Sequence, residues 1–325
     1  MSLKYIVKTV PCTIFRKIPA SAMIIPLFLS ILFNSVFPDF VKIGSLTTAI
    51  FSKSAVVPLT GAVLFFAGTQ LKLNEAPAAL KRGSILLAAK FITGYVIGTL
   101  FMMAFGTVGF LGVSALAVYT ALLSSNGSIY LAITGEYGDD IDLGAYSVLS
   151  LKDGPFLAMV ALGASGASDI PLKALFATIF PMLLGIVLGN VYPGVRSYFK
   201  GGTRLLIPLV GISIGSSINL SMMFQAGAGG ILLGLVAFGA GAIVLVAADK
   251  FILRRPGYAG ASLASIAGSA VATPAIIAGV VPDLADTAVM ASVQIAAGVI
   301  VTAILCPMLT SWALKRWGAP NYIRK

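Results

Sequence analysis

The residues able to do chemistry in this chain are few, and they lie inside apolar sequence. Lys152 and Asp153 sit in SLKDGP (Ser150 to Pro155), Lys90 follows a run of Ile, Leu and Ala, and Gln294 interrupts a stretch of Ala and Val. An ionisable side chain inside a membrane segment is costly, and it marks a route for an ion or a substrate. Asp153 is the preferred proton carrier, with Lys152 or Lys90 placed to pair with it or to draw a substrate carboxylate. Neighbours on a helix point roughly 100° apart, so Lys152 and Asp153 need not face each other. The alternative for Lys90 and Lys53 is a long stem that packs or snorkels.

Two polar interruptions supply candidate ligands. SSNGSIY (Ser124 to Tyr130) offers Ser124, Ser125, Asn126, Gly127 and Ser128, and GSAVATPAIIAG (Gly268 to Gly279) offers Ser269, Thr273 and Pro274. Asn-Gly tolerates non-helical backbone, and proline removes a donor and crowds the preceding turn. Irregular backbone at membrane depth survives only where protein buries it or a watery cavity meets it. Half-helix N-termini there suit an anion, and freed carbonyls suit a cation; ordinary kinks are the alternative. Asn219, in GSSINL (Gly215 to Leu220), reads either as cavity lining or as a helix end. Catalysis has little to work with. Histidine is absent, neither Cys12 nor Cys306 has metal-ligand spacing, and no HExxH or GxSxG occurs. No enzyme, metal site, disulfide or cofactor is expected.

The elements that must position these residues are membrane helices. Hydrophobic residues make up 58% of the chain and charged residues 10%, and mean hydropathy is +1.00. That leaves too little polar surface for a soluble domain. Ten approximate spans follow: 18–37, 46–69, 83–105, 109–135, 143–163, 171–190, 204–219, 228–248, 257–281 and 285–314. With a cytoplasmic N-terminus, 17 of the 22 Lys and Arg residues face inward, an inner-side bias that fixes orientation and puts both tails (1–17 and 315–325) in the cytoplasm. The same bias makes the lipid bilayer, and not nucleic acid, the partner of the +11 net charge. Glu136, Asp139, Asp140 and Asp142 form one inner loop that brings no basic partner of its own. The first span is expected to be retained and not to act as a cleaved signal.

The chain also repeats itself. Met23 to Pro38 and Thr178 to Pro193 match at six of sixteen positions, including both prolines. Pro58-Leu59-Thr60-Gly61 answers Pro208-Leu209-Val210-Gly211, and Gly112 to Leu116 falls opposite Gly260 to Ala264, which sets Asn126 against Pro274. Two halves, 18–163 and 171–314, then hold five spans each. An odd count inverts the second half, and inverted repeats support alternating access. The fold expected is all-α and polytopic, with helices 4 and 9 broken.

Taken together, Ile18 to Leu27, SNGSIY, SLKDGP, GSSINL and Ala267 to Pro274 resemble the 2-keto-3-deoxygluconate permeases. The resemblance covers almost the whole chain in order. It implies a bacterial inner-membrane proton symporter for a small anionic sugar acid, with the ten-helix architecture of the bile-acid/sodium symporter and sodium/proton antiporter group. Two departures fall in the site: the family places an acidic residue where this chain has Ser124, and Glu-Ser where it has Lys152-Asp153. The expected function is therefore proton-coupled uptake of 2-keto-3-deoxygluconate or a close relative. A sodium-coupled organic-anion symporter and a passive channel are the alternatives. The glycines of span 8 (Gly227, Gly229, Gly230, Gly234, Gly239, Gly241) permit close packing within a chain or in a homo-oligomer.

Overall fold

The computed structural model describes residues 21–38, 42–74 and 77–322. The expected N-terminal tail, with Cys12 and the first four basic residues, lies outside them, as does the end of the C-terminal tail. The described residues are almost wholly helical, because backbone in hydrocarbon must satisfy its own hydrogen bonds. In chain order the helices are α1 (Ser21–Val36), α2 (Ser45–Phe51), α3 (Val56–Gln70), α4 (Pro77–Phe105), α5 (Ala115–Leu123), α6 (Gly127–Tyr137), α7 (Asp140–Leu149) and α8 (Phe156–Ala164). They continue as α9 (Leu172–Val191), α10 (Pro193–Tyr198), α11 (Gly202–Gly215), α12 (Leu220–Ala247), α13 (Tyr258–Ser262), α14 (Thr273–Val280) and α15 (Ala285–Trp317).

By length and apolarity five segments can cross a membrane: Pro77–Phe105, Ala115–Tyr137, Leu172–Val191, Leu220–Ile252 and Pro282–Trp317. Seven can if two bent pairs each count as one span, Ser45–Phe51 with Lys53–Gln70 (65°) and Asp140–Asp153 with Phe156–Ala164 (59°). Ten were expected from hydropathy. The shortfall lies in α1, α11 and Gly268–Val280, which are apolar but too short to pass the same test.

Two packing groups are evident. α1 lies on α11, α9 on α3, and α3 on α11. In the second group α4 packs on α5 and α7, while α12, α13, α14 and α5 gather around α15. Glycine sets the closest approaches: a Cβ at Gly211 would stand 2.7 Å from the Met23 carbonyl oxygen, so α11 and α1 touch backbone to backbone. Without a hydrophobic drive between helices in lipid, such contacts carry association. In span 8, Gly229, Gly230, Gly234 and Gly241 face neighbours inside the chain, whereas Gly227 and Gly239 meet open space.

The first interruption falls where expected, at Ser124–Asn126 between α5 and α6. The second coincides with the expected stretch only in part, over Gly268–Ala272. It begins at Leu263, and a 3-10 turn, Gly268–Ala272, leads into α14. Pro274 stands in the first turn of α14, where a missing N–H costs nothing. The register that set Asn126 against Pro274 is thus displaced. A further bend, at SLKDGP, was read from sequence only as charge within a span. There Ser150–Asp153 is a 3-10 turn that ends on Gly154.

At one end of the second group lies a buried charge cluster. Arg82 Nε meets Asp142 Oδ1 at 2.6 Å, and its NH1 meets Asp249 Oδ1 at 2.8 Å. Tyr258 donates to Asp142 Oδ2. Arg255 reaches Asp139 at 2.6 Å and Asp142 at 3.2 Å. The acidic loop brings no basic residue of its own, and Arg82 and Arg255 supply its partners from elsewhere in the chain.

Candidate functional site

The two interruptions meet. The Asn126 amide donates to Ser265 Oγ (3.0 Å), and the Ala267 amide donates to Ser124 Oγ (3.3 Å). Each broken segment thereby satisfies a backbone donor of the other, and Thr302 Oγ1 accepts from the Ile266 amide at 3.0 Å. Backbone released from helix needs such partners, since an unpaired buried group costs about 1–3 kcal/mol. Asn126 spends its side chain locally: Oδ1 caps α6 by accepting from the Ser128 and Ile129 amides. Ser125 is fully buried and its hydroxyl has no partner among the described residues.

Beside this crossing lies a small cavity lined by Ser124 and Thr120 of the first broken segment, Lys152 and Asp153 of the bend, and Ser269 and Thr273 of the second segment. Its empty space is about 240 Å³ with the open mouth included. The Lys152 side chain is wholly buried, and its Nζ stands 3.0 Å from Asp153 Oδ1, while Asp153 retains 23% exposure. The two side chains meet although successive residues of a 3-10 turn point about 120° apart. Tyr146 Oη donates to Asp153 Oδ2 (2.9 Å), and Ser269 Oγ donates to the Asp153 carbonyl (3.3 Å). Gly127 matters through Tyr146, whose hydroxyl occupies the space a Cβ would need. Thr120 Oγ1 is buried and unpartnered among the described residues.

Of the residues singled out from sequence, Ser124, Lys152, Asp153, Ser269 and Thr273 line this cavity. Ser125, Asn126 and Gly127 adjoin it in the interruption, and the buried Pro274 follows Thr273. Ser128 is exposed on α6. Asn219 is an exposed N-cap of α12, its Oδ1 accepting from the Met222 amide. Gln294 Nε2 donates to the Gly112 carbonyl at 2.7 Å, well away in sequence from SLKDGP. Lys90 is buried and reaches the Leu263 and Ser265 carbonyls. Sequence inspection passed over Thr120 and Tyr146. Both had a signal in helical spacing, one turn before Ser124 and two turns before Asp153.

A buried ammonium, a half-exposed carboxylate and several hydroxyls around a small void suit reversible binding of a polar anion. The sequence decides the family. The model of the 2-keto-3-deoxygluconate permeases matches residues 12–319. The chain belongs to that family. It is similar to 2-keto-3-deoxygluconate permease 1 of Salmonella typhimurium, 42% identical over 301 residues, which covers 93% of this chain and 94% of the relative. The 2-keto-3-deoxygluconate permease of Pectobacterium carotovorum is 35% identical over 307 residues (93% and 96%). That of Xanthomonas axonopodis is 33% identical over 310 residues (94% and 97%). The protein is a multi-pass membrane permease and not an enzyme.

Proposed function

We propose that this permease takes up 2-keto-3-deoxygluconate, or a closely related sugar acid, together with a proton by alternating access. The names of the relatives support the substrate. The coupling rests on one observation: Asp153, the one carboxylate among the cavity-lining residues, shares the buried ammonium of Lys152. A substrate carboxylate entering the cavity competes with Asp153 for that ammonium. Protonation of Asp153 releases Lys152 for the substrate, and departure of the substrate lets Asp153 ionise and pair again. Proton and substrate then favour each other's binding, as linkage requires of a symporter. Thr120, Ser124, Ser269 and Thr273 are placed to meet the hydroxyls.

Alternating access finds support in the packing. Exchanging the two halves turns the α1–α11 contact into the α9–α3 contact, and the α4–α7 contact into that of α12 with α15. Inverted repeats paired in this way give two mirror-related openings of one central site. Across the boundary between the two packing groups the Leu64 side chain of α3 lies against Gly154 at the bend, α8 meets α9, and α14 meets α3. A shift of the α1, α3, α9 and α11 group against the rest would uncover the cavity from one side or the other. The charge bias supports a reading with both termini in the cytoplasm.

Proteoliposomes carrying a pH-sensitive dye test the proposal. Addition of 2-keto-3-deoxygluconate should acidify the lumen, and an imposed proton gradient should drive accumulation above equilibrium. Asp153→Asn should retain exchange of labelled substrate but lose accumulation. Absence of proton movement with every sugar acid of a panel would overturn the coupling, and equilibration without accumulation would point to a channel.

A further inference from the structure

The ammonium of Lys90 is buried, and among the described residues no carboxylate lies within ion-pair distance of it. Its neighbours are backbone: the Leu263 carbonyl at 3.4 Å and the Ser265 carbonyl at 3.5 Å. Both carbonyls belong to the stretch where α13 has ended and α14 has not begun, so neither is engaged in a regular helix. The carbonyls just before them, of Ala261 and Ser262, receive the Cys306 thiol. At these lengths the contacts to Lys90 are charge against dipole more than tight hydrogen bonds. Burying an uncompensated charge is costly, so an ammonium here relies on these two carbonyl dipoles for compensation.

Carbonyls freed by an interrupted helix are also the groups that hold a monovalent metal ion in broken-helix carriers. We propose that Lys90 is a tethered cation: its ammonium fills the carbonyl nest at the crossing of the interrupted helices, in place of a metal ion, and makes this permease independent of sodium. A sodium ion at the same carbonyls would stand against the ammonium and be repelled. The interruption is held ready without an ion having to bind. This deepens the transport reading by settling which ion is not used. It is tested without substrate, so a wrong sugar acid would leave the result intact.

The experiment compares thermal unfolding of the purified full-length protein in equal concentrations of sodium chloride, methylammonium chloride and choline chloride. The wild type should unfold at the same temperature in all three. Lys90→Met should unfold earlier in choline and recover by a few degrees in sodium or methylammonium, because a ligand that binds only the folded state stabilises it. Should Lys90→Met not fold, Lys90→Gln is examined in the same salts with the same expectation. Sodium stabilisation of the wild type would overturn the proposal. So would a variant as stable as wild type in choline, or one whose loss neither cation restores.

Discussion

Arg82 shows what a single charge does when it leaves the loop that sequence assigned to it. Its guanidinium is buried between Asp142 and Asp249, and the two carboxylates depend on it for compensation. Arg82→Met leaves Asp249 without a cation and Asp142 with Arg255 and Tyr258 alone, and loss of one partner of a buried pair costs about 3–5 kcal/mol. Unfolding in detergent should therefore occur at clearly lower temperature or denaturant concentration than for the wild type. Arg82→Lys should recover part of the loss, since a single ammonium cannot reproduce a planar fork that serves two carboxylates. Asp139, at the edge of the cluster and between the apolar segments, allows a pH test. Burial alone would raise its carboxyl, but the Arg255 guanidinium and the Asp142 amide outweigh that and hold it below its ordinary 3.8. A depressed folded-state value contributes stability that is complete above the ordinary value and is lost as pH falls through the folded-state value. Melting temperature should fall as pH drops below that ordinary value, and Asp139→Asn should show a shallower fall. Equal acid sensitivity in both proteins would rule this contribution out.

The interrupted helices are where sequence and structure part. Ser124–Asn126 was readable because Ser-Ser-Asn-Gly combines a cap residue with a residue that tolerates tight backbone. Leu263 to Ala267 carries no such signal. Its interruption is stabilised from elsewhere, by Ser124, Thr302 and Lys90, so no local pattern announces it. Pro274 drew attention nine residues further on than Ser265, the true partner of Asn126, although a proline in a first helical turn disturbs nothing. SLKDGP likewise hid a bend behind its charges. The membrane class, most of the helical segments and the polar residue types of SSNGSIY and SLKDGP were present in the sequence. The partners of Arg82 and of the second interruption lie from 36 positions (Ile266 to Thr302) to 167 positions (Arg82 to Asp249) away and had no local trace. The crossing itself can be tested. Ser265→Ala leaves the Asn126 amide without its acceptor, at about 1–3 kcal/mol, and hydrogen exchange at that amide should quicken while amides deep in α12 are unchanged.

For the whole molecule, the proposed alternating access requires that one packing group move against the other. Leu64 and Gly154 lie on opposite sides of that boundary and in contact. Leu64→Cys combined with Gly154→Cys should stop uptake when a short thiol cross-linker joins them, and either variant alone should be indifferent to the reagent. Continued uptake by the joined protein would place the moving boundary elsewhere. The reciprocal bonds at the crossing have one more consequence, which belongs to synthesis. Asn126 and Ser265 are 139 residues apart, and Ser124 and Ala267 are 143 apart. At roughly 5–20 residues per second, the ribosome delivers the second interruption on the order of ten seconds after the first. For that interval the nascent first half has a gap in its helical backbone whose partners do not yet exist, and it must keep that gap near the insertion machinery or the headgroups until the second half arrives.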